Sequence, residues 1–236
     1  MSLRESVATP DGKRRYVRAL FATIADRYDL ITVVLSYGRD RAWKRRLLRL
    51  APPLEGLRVL DLATGTGDLA YLSHDAGARV TGLDVTTRMI QLAIAKRPAG
   101  PRPQFLVGDM SALPFPAASF DVVTTGYGLR NVPDLGLAID QIAHVLKPGG
   151  LLLSLDFDRP PNRVMRTAYL AYLHAVGGAL GWLLHRDPDT YRYIPESIRN
   201  YPGAGGVVQL LRARGFAAAS SRPVLGGFMA IHEART

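Results

Sequence analysis

The sequence predicts an α/β fold in which a mostly parallel sheet of seven strands carries helices on both faces. Apolar runs of strand length alternate with helix-length segments, and this alternation is typical of parallel strands joined by right-handed crossovers. The runs at 122–123 and 151–153 are apolar at consecutive positions, which indicates strands buried on both sides. The first strand leads into a glycine turn at Gly65 and Gly67, and the second ends at Asp84. Such sheets bind ligands at the carboxyl ends of their strands.

Each element follows from its local pattern. Apolar residues at three- and four-residue spacing predict two N-terminal helices, and helix-length segments separate the later strands. Helices are expected over residues 13–30, 38–50, 68–76, 87–96 and 135–146. Strands are expected near residues 57–62, 79–84, 103–107, 120–125, 151–156, 215–222 and 227–233. A mostly helical insertion follows residue 160, and prolines and glycines in 222–227 predict a turn between the last two strands.

Length and composition are those of one compact domain. With 236 residues, 47% of them apolar, the chain can bury a substantial core. It has no cysteine, which excludes disulfides, a thiolate nucleophile and cysteine-based metal sites. Its five histidines lack the spacing of metal ligands, so no metal site is expected. The first 20 residues lack the apolar core of a secretory signal, and a cytoplasmic location is expected.

The glycine turn and the acid after the second strand predict a nucleoside site. Glycine tolerates positive φ and lets the backbone approach a ligand closely. Asp84 lies 19 residues beyond Gly65, where a carboxylate can accept hydrogen bonds from two ribose hydroxyls. The pattern Gly65-x-Gly67-x-x-Ala70 also fits the dinucleotide fingerprint, so the glycines alone do not choose between cofactors.

Three further acids favour S-adenosylmethionine over a dinucleotide. Asp61 lies four residues before Gly65, where a carboxylate would repel a pyrophosphate but could hold an ammonium group. Asp68 places another negative charge inside the turn, and Asp109 begins a segment with no role in dinucleotide binding. A cofactor with adenosine at one end and a cationic amino acid at the other fits these charges better.

Several longer motifs carry a resemblance to a known family. Residues 59–150 resemble the class I S-adenosylmethionine-dependent methyltransferases, and the chain as a whole resembles the ubiquinone/menaquinone biosynthesis C-methyltransferase family. The narrower resemblance rests on Tyr28-Asp29, Ser36-Tyr-Gly38, Trp43-Lys44, Gly128-Leu-Arg-Asn-Val132, Leu146-Lys-Pro-Gly-Gly150, Asp156-Phe-x-x-Pro160, Tyr191-Arg-Tyr-Ile-Pro-Glu-Ser-Ile198 and Gly226-Gly-Phe-Met-Ala-Ile-His232. These motifs span about 205 residues in the family's order.

The resemblance implies a fold, an organisation and an activity. The fold is the Rossmann-like fold of class I methyltransferases, with an antiparallel last strand. Residues 1–50 would form a helical cap, and residues 51–236 the methyltransferase domain, with a substrate lid at about 160–200. The implied reaction is methylation of a ring carbon of a demethylmenaquinol or 2-methoxy-benzoquinol type precursor, with a polyprenyl quinol or another hydrophobic aromatic molecule as acceptor. An N- or O-methyltransferase of a lipid or secondary metabolite is the alternative, and an NAD-dependent enzyme is less favoured.

The resemblance and the strand ends together nominate site residues. Cofactor contacts are expected from Asp61, Thr64, Gly65, Thr66, Gly67, Asp84, Val85, Met89, Asp109, Met110, Gly126 and Tyr127. Acceptor contacts are expected from Tyr28, Asp29, Tyr191, Tyr193, Ser197 and His232. Arg130 and Asn131 are the catalytic candidates. A ring carbon becomes nucleophilic when a neighbouring hydroxyl ionises, and a guanidinium can stabilise the developing oxyanion.

The charge of the N-terminal segment is relevant to the partners that the protein could bind. Residues 1–50 carry twelve Lys and Arg against five Asp and Glu, which is +7 of the net +10. This charge fits either a solvated helix face or attraction to an anionic membrane, and a peripheral position at the inner face of the membrane stays open. No motif predicts nucleic acid as a partner, and a homodimer stays open.

Residues 167–184 form an uncharged segment at the lower length limit of a membrane span. His174, three glycines and two tyrosines weaken the interpretation as a span. We interpret the segment as a lid helix that walls an apolar substrate pocket, with plain core packing as the competing interpretation.

Overall fold

A computed structural model describes residues 3–97, 99–160 and 162–236. The helices are α1 (Leu3–Ser6), α2 (Pro10–Ile24), α3 (Tyr28–Leu35), α4 (Asp40–Leu48), α5 (Asp68–Asp75), α6 (Thr87–Ala95), α7 (Leu135–Val145), α8 (Arg163–His185), α9 (Asp189–Asn200) and α10 (Gly203–Ala213). The strands are β1 (Arg58–Leu62), β2 (Arg79–Asp84), β3 (Gln104–Val107), β4 (Phe120–Gly126), β5 (Leu146–Phe157), β6 (Ala218–Val224) and β7 (Met229–Arg235).

The seven strands form one sheet in the order β3-β2-β1-β4-β5-β7-β6. Strand β7 pairs antiparallel with both β5 and β6, and the remaining pairs are parallel. The chain order reverses direction across the sheet between β1 and β4. A crevice opens at such a switch point, beside the carboxyl ends of the strands.

The boundaries differ from the sequence expectation at three places. The helix expected over 13–30 is divided by a 3₁₀ turn, Ala25–Arg27, into α2 and α3, and this turn directs Tyr28 toward the glycine turn. Strand β5 begins at Leu146, five residues earlier than expected. The last two strands lie two to three residues later than expected and are joined by the 3₁₀ turn Leu225–Gly227.

Successive side chains of each strand point to opposite faces of the sheet, and an apolar layer forms on each face. On one face, Leu60 and Leu152 pack with residues of α7 and α10. On the other face, Val59 and Leu151 pack with residues of α4 and α5. A third cluster joins α2 and α3 to α9. The N-terminal helices and the insertion therefore meet above the sheet, on the side of its carboxyl ends.

Helix α8 packs along α9 through small residues. A Cβ added at Gly177 would lie 3.1 Å from the carbonyl oxygen of Tyr191, and one at Gly181 would lie 2.4 Å from that of Asp187. Glycine at these positions lets the two helices approach closely. By length and composition α8 is also the one described helix that could cross a membrane, with mean hydropathy 1.2 in its most apolar window and 28% of that window buried.

Candidate active site

Asp61 lies at the end of β1 and is almost completely buried. Its carboxylate accepts hydrogen bonds from the hydroxyls of Thr64 (2.6 Å) and Thr124 (2.7 Å). Burial raises the pKa of Asp61 to about 6, because the charged form loses its hydration. A cationic ligand beside this carboxylate would restore the lost stabilisation.

Asp84 at the end of β2 holds the glycine turn in place. One carboxylate oxygen accepts the backbone N–H of Gly65 at 2.9 Å, and the other accepts that of Thr86 at 2.8 Å. Gly65 has φ of +55° and Gly67 has φ of +85°, a left-handed region that favours glycine. Burial raises the pKa of Asp84. Each carboxylate oxygen retains a second lone pair that can accept from a hydroxyl.

A narrow crevice of about 80 Å³ runs along the strand ends. It contains Asp84, Val85, Met89, Asp109, Met110 and, at its other end, Gly126 and Tyr127. Helix α2 covers it, since Arg14, Val17 and Phe21 line the opposite wall. The Arg14 guanidinium lies 3.2 Å from the Asp109 carboxylate, and the Lys13 ammonium donates to the carbonyl of Arg130 at 3.0 Å. Burial lowers the pKa of Lys13 to about 8.

A smaller polar cavity of about 20 Å³ adjoins the crevice. Lys44, Asp61 and Asp68 face it, together with Thr64 and Thr66. The Lys44 ammonium lies 2.6 Å from Asp40 and 2.9 Å from Asp68. These contacts occupy two of its three N–H groups, and no other described residue accepts from the third, which is therefore available to a ligand.

Sequence patterns alone assign no role to Asp40 or Lys44. Both are buried, and the Tyr127 hydroxyl donates to Asp40 at 2.7 Å. The sequence does contain a pattern that could have identified them, since Asp40 and Lys44 share one side of α4 with buried Trp43 and Leu47. Charged residues on the apolar side of a helix, four positions apart, indicate a buried ion pair.

A large apolar cavity of about 490 Å³ lies above the sheet. It is lined by α2, α3, α8 and α9, with Tyr191 and Tyr193 from the predicted acceptor set. Tyr28 and Tyr127 line this cavity as well as the crevice and the small polar cavity. Burial raises the pKa of Tyr28 to about 12 and raises the pKa of Tyr127 well above its usual range, so both phenols are protonated at neutral pH. These two rings form the wall between the large cavity and the crevice.

Arg130 brings a buried positive charge to the large cavity. Its Nε lies 3.0 Å from Asp156, and its Nη1 donates to Asn131 (3.0 Å) and Ser197 (2.9 Å). The guanidinium also lies 4.9 Å from the centre of the Phe157 ring. Among the described residues, none accepts a hydrogen bond from Nη2, so this nitrogen is available to a group inside the cavity.

Some nominated residues lie elsewhere than expected. Asp29 points to the outside of the glycine turn, where it accepts from Thr66 and pairs with Lys96. Ser197 supports Arg130 but does not line the large cavity, and Asn131 lines the crevice instead. His232 is completely buried on β7, opposite serines of both neighbouring strands, and lines none of the cavities described above.

The residues at the strand ends fit a nucleoside joined to an amino acid. Asp84 offers acceptors for ribose hydroxyls, and Met89 and Met110 give the crevice apolar surface. At the other end, Asp61 and Lys44 place a buried carboxylate and a buried ammonium in one cavity, and these match the two charges of an α-amino acid. S-adenosylmethionine has both parts. Among the described residues, no group of three His, Asp or Glu could hold a metal ion.

Comparison with solved structures confirms the predicted fold class. An S-adenosylmethionine-dependent methyltransferase from Thermotoga maritima superposes with a TM-score of 0.68 at 16% identity, over 93% of this chain and 99% of that one. A methyltransferase of the same dependence from Mesorhizobium loti gives 0.60 at 19% identity, over 81% and 96%. At these identities the two comparisons show that the chain shares their fold.

Comparison with curated protein sequences identifies the family of this chain. A demethylmenaquinone methyltransferase of Thermus thermophilus is 42% identical over 202 residues, 84% of this chain and 91% of that protein. A ubiquinone/menaquinone biosynthesis C-methyltransferase of Shewanella piezotolerans is 37% identical over 231 residues, 94% and 90%. The model of the ubiE/COQ5 methyltransferase family matches residues 9–236. The chain therefore belongs to the ubiE/COQ5 methyltransferase family and is an S-adenosylmethionine-dependent methyltransferase.

Proposed function

We propose that this enzyme methylates a ring carbon of a quinol precursor of the demethylmenaquinol or 2-methoxy-benzoquinol type. The observation that carries the proposal is the position of Arg130. It is a buried guanidinium in the wall of a large apolar cavity, beside the two tyrosines that separate this cavity from the cofactor crevice. A polyprenyl quinol has an apolar body and a hydroxyl that can ionise, so it matches both features. The names of the relatives agree with this acceptor class.

Arg130 has the central role in the proposed mechanism. The cofactor supplies an electrophilic methyl group on its sulfonium. A phenolate oxygen beside Arg130 would be stabilised by the guanidinium, which lowers the pKa of that hydroxyl and increases electron density at the neighbouring ring carbon. Asp156, Ser197 and Asn131 fix the guanidinium in one orientation. Asn131 is held in turn, since its amide donates to the Tyr127 carbonyl at 2.8 Å.

We assign the cofactor contacts to the strand ends. Asp84 accepts from the ribose hydroxyls, and Asp109 and Met110 flank the adenine, with the carboxylate as acceptor for its amino group. Asp61 binds the ammonium of the methionine part, and Lys44 binds its carboxylate through the N–H that Asp40 and Asp68 leave available. The remaining turn residues Thr64, Gly65, Thr66 and Gly67 shape this end of the site.

We propose that residues 1–50 act as a cap and that the insertion at about 160–200 acts as a substrate lid. Helices α2 and α3 cover the crevice, and α8 and α9 wall the large cavity. Exclusion of water by these helices would strengthen the interaction between Arg130 and a phenolate. Tyr191 and Tyr193 would contact the apolar body of the acceptor.

The acceptor also determines where the enzyme works. A polyprenyl quinol partitions into lipid, so we place the enzyme in the cytoplasm with a peripheral position at the inner face of the membrane. The excess positive charge of residues 1–50 supports attraction to anionic lipid, which falls as salt is raised.

The test is transfer of a radiolabelled methyl group to a panel of reduced quinones that differ in ring and tail. We expect a carbon-methylated product, identified by its NMR methyl shift, from a naphthoquinol or a methoxy-benzoquinol. Comparison of the two rings distinguishes the menaquinone from the ubiquinone precursor. Exclusive formation of a methyl ether or an N-methyl product would overturn the proposal and establish the N- or O-methyltransferase alternative.

A further inference from the structure

Exposed apolar side chains surround one side of the large cavity. On α3 and directly after it, Leu30, Val33, Val34 and Tyr37 recur at three- and four-residue spacing and are 45–63% exposed. On α8 the exposed apolar residues are Val164, Met165, Tyr172, Trp182 and Leu183, at 41–78%. We call these nine residues the α3–α8 face.

Two side-chain contacts make this face continuous. Near one end, the Arg27 guanidinium donates to the carbonyl of Leu184. Near the other, the Tyr37 and Tyr172 hydroxyls are 2.5 Å apart and their rings stack with centres 6.5 Å apart. The large cavity lies between the two helices, since Ile31 of α3 and other side chains of both helices line it. Tyr37 and Tyr172 line it too, so the cavity reaches the surface beneath their contact.

Charge around the face is positive. Arg39, Arg41, Arg163, Arg166 and Arg186 flank it along the chain, and none forms an ion pair with another described residue. Of the neighbouring carboxylates, Asp26, Asp29 and Asp189 are already paired with Arg88, Lys96 and Arg192. Asp187, next to Arg186, accepts hydrogen bonds from the Asp189 backbone N–H and the Thr190 hydroxyl. A large exposed apolar surface marks an interaction site, and an apolar surface with a cationic border matches anionic lipid.

We propose that the α3–α8 face docks on an anionic lipid bilayer and that the apolar tail of the acceptor enters the cavity between Tyr37 and Tyr172. This inference rests on the proposed function, in which the acceptor is a polyprenyl quinol. Helix α8 lies along the bilayer surface, because its glycine side is packed against α9. The same surface then both holds the enzyme to the membrane and contains the entrance to the cavity.

Flotation with empty vesicles tests the docking without any acceptor. The variant L30E/L183E places two carboxylates in the face at positions that line none of the cavities described. The matched control I94E/L137E places two at exposed apolar positions of α6 and α7, and their exposures are 38% and 40%. We expect wild type and control to float with vesicles that contain phosphatidylglycerol. We expect at least tenfold less binding by L30E/L183E, and weaker binding of all three to neutral vesicles.

Methylation assays separate the docking from the proposed function. We expect L30E/L183E to methylate a short-tailed soluble quinol as wild type does, and to lose activity on a long-tailed quinol in vesicles. Equal flotation of both variants, or none by wild type, would overturn the docking. A third result would also overturn it: wild type that does not float but forms a dimer, with the dimer lost in L30E/L183E. That result would assign the face to a second copy of the chain. Normal flotation with no activity on any quinol would refute the proposed acceptor and leave the docking intact.

Discussion

Arg130 and Asp156 form a buried pair in which the carboxylate contacts both the side chain and the backbone of the arginine. Asp156 Oδ1 lies 3.0 Å from the guanidinium Nε, and Oδ2 accepts the Arg130 backbone N–H at 3.1 Å. Burial raises the pKa of Asp156, and Arg130 opposes that rise. Removal of either partner would leave an uncompensated buried charge, so tests of Arg130 require a variant that keeps the charge.

The variant R130K keeps a cation beside Asp156 but loses the planar fork that reaches Asn131 and Ser197. We expect turnover to fall about 100-fold or more, because the proposed partner of the guanidinium is charge that develops on the acceptor. S-adenosylmethionine affinity, measured by calorimetry, should change little. The control R212K removes an arginine fork that donates to the Ala219 carbonyl, on another face of the protein. Near-normal turnover of folded R130K would reduce Arg130 to a structural residue.

The variant D84A should weaken S-adenosylmethionine binding by about 2–3 kcal/mol, the range for lost hydrogen bonds to a charged group. Calorimetric titration measures the change. The control D121A removes a carboxylate near the amino end of β4, far from the carboxyl ends of the strands. This carboxylate accepts the backbone N–H of Arg58 and pairs with Lys147. Equal affinities of folded D84A and wild type would remove Asp84 from the ribose site.

The variant K44M tests the proposed contact with the cofactor carboxylate. We expect it to lose affinity for S-adenosylmethionine at least tenfold, and to bind 5′-methylthioadenosine, which has no amino-acid group, as wild type does. The control K96M removes the other lysine that pairs with Asp68 but does not line the small polar cavity. Parallel losses for both ligands in K44M would assign Lys44 to support of the fold alone.

The pKa of Asp61, raised to about 6 by burial, predicts pH-dependent cofactor binding. Below this value the carboxyl group is neutral, and its attraction to an ammonium is lost. Affinity should therefore rise as pH increases through 6, and binding near pH 6 should release a proton. Calorimetry in buffers of different ionisation enthalpy measures that release. A D61N variant should lose this pH dependence, and a pH-independent affinity of wild type between pH 5 and 8 would contradict the assignment.

His232 predicts a pH dependence of stability. Burial lowers its pKa from 6.5 to about 4, against an opposing effect of Asp158. Between these values the unfolded chain binds a proton that the folded chain does not, so the free energy of unfolding should fall as pH decreases from 6.5 toward 4. The contribution is at most about 3 kcal/mol.

Urea unfolding between pH 4 and 7.5 measures this effect. H232Q should depend less steeply on pH than wild type, whereas the exposed-site control H144Q should follow wild type. Identical slopes for H232Q and wild type would show that another group is responsible.

The positions of the strand-end residues are easier to predict from the sequence than the contacts that surround them. The glycine turn and the strand-end acids Asp61 and Asp84 are encoded within short segments, where apolar runs and backbone requirements are visible. The contact of Asp40 with Tyr127 joins positions 87 residues apart, and no local pattern reports it. His232 is the last residue of a family motif, but its burial depends on the two strands that flank β7. Likewise, the outward position of Asp29 depends on the 3₁₀ turn that divides α2 from α3.

The two contacts of α2 with the site have a kinetic consequence. Lys13 and Arg14 are adjacent, yet one holds the carbonyl of Arg130 and the other holds Asp109. With α2 in place the crevice measures about 80 Å³, far below the roughly 300 Å³ or more of typical ligand pockets. We therefore expect α2 to move away, with loss of both contacts, when the cofactor enters or leaves. We expect departure of the demethylated cofactor, rather than methyl transfer, to limit the rate of each cycle.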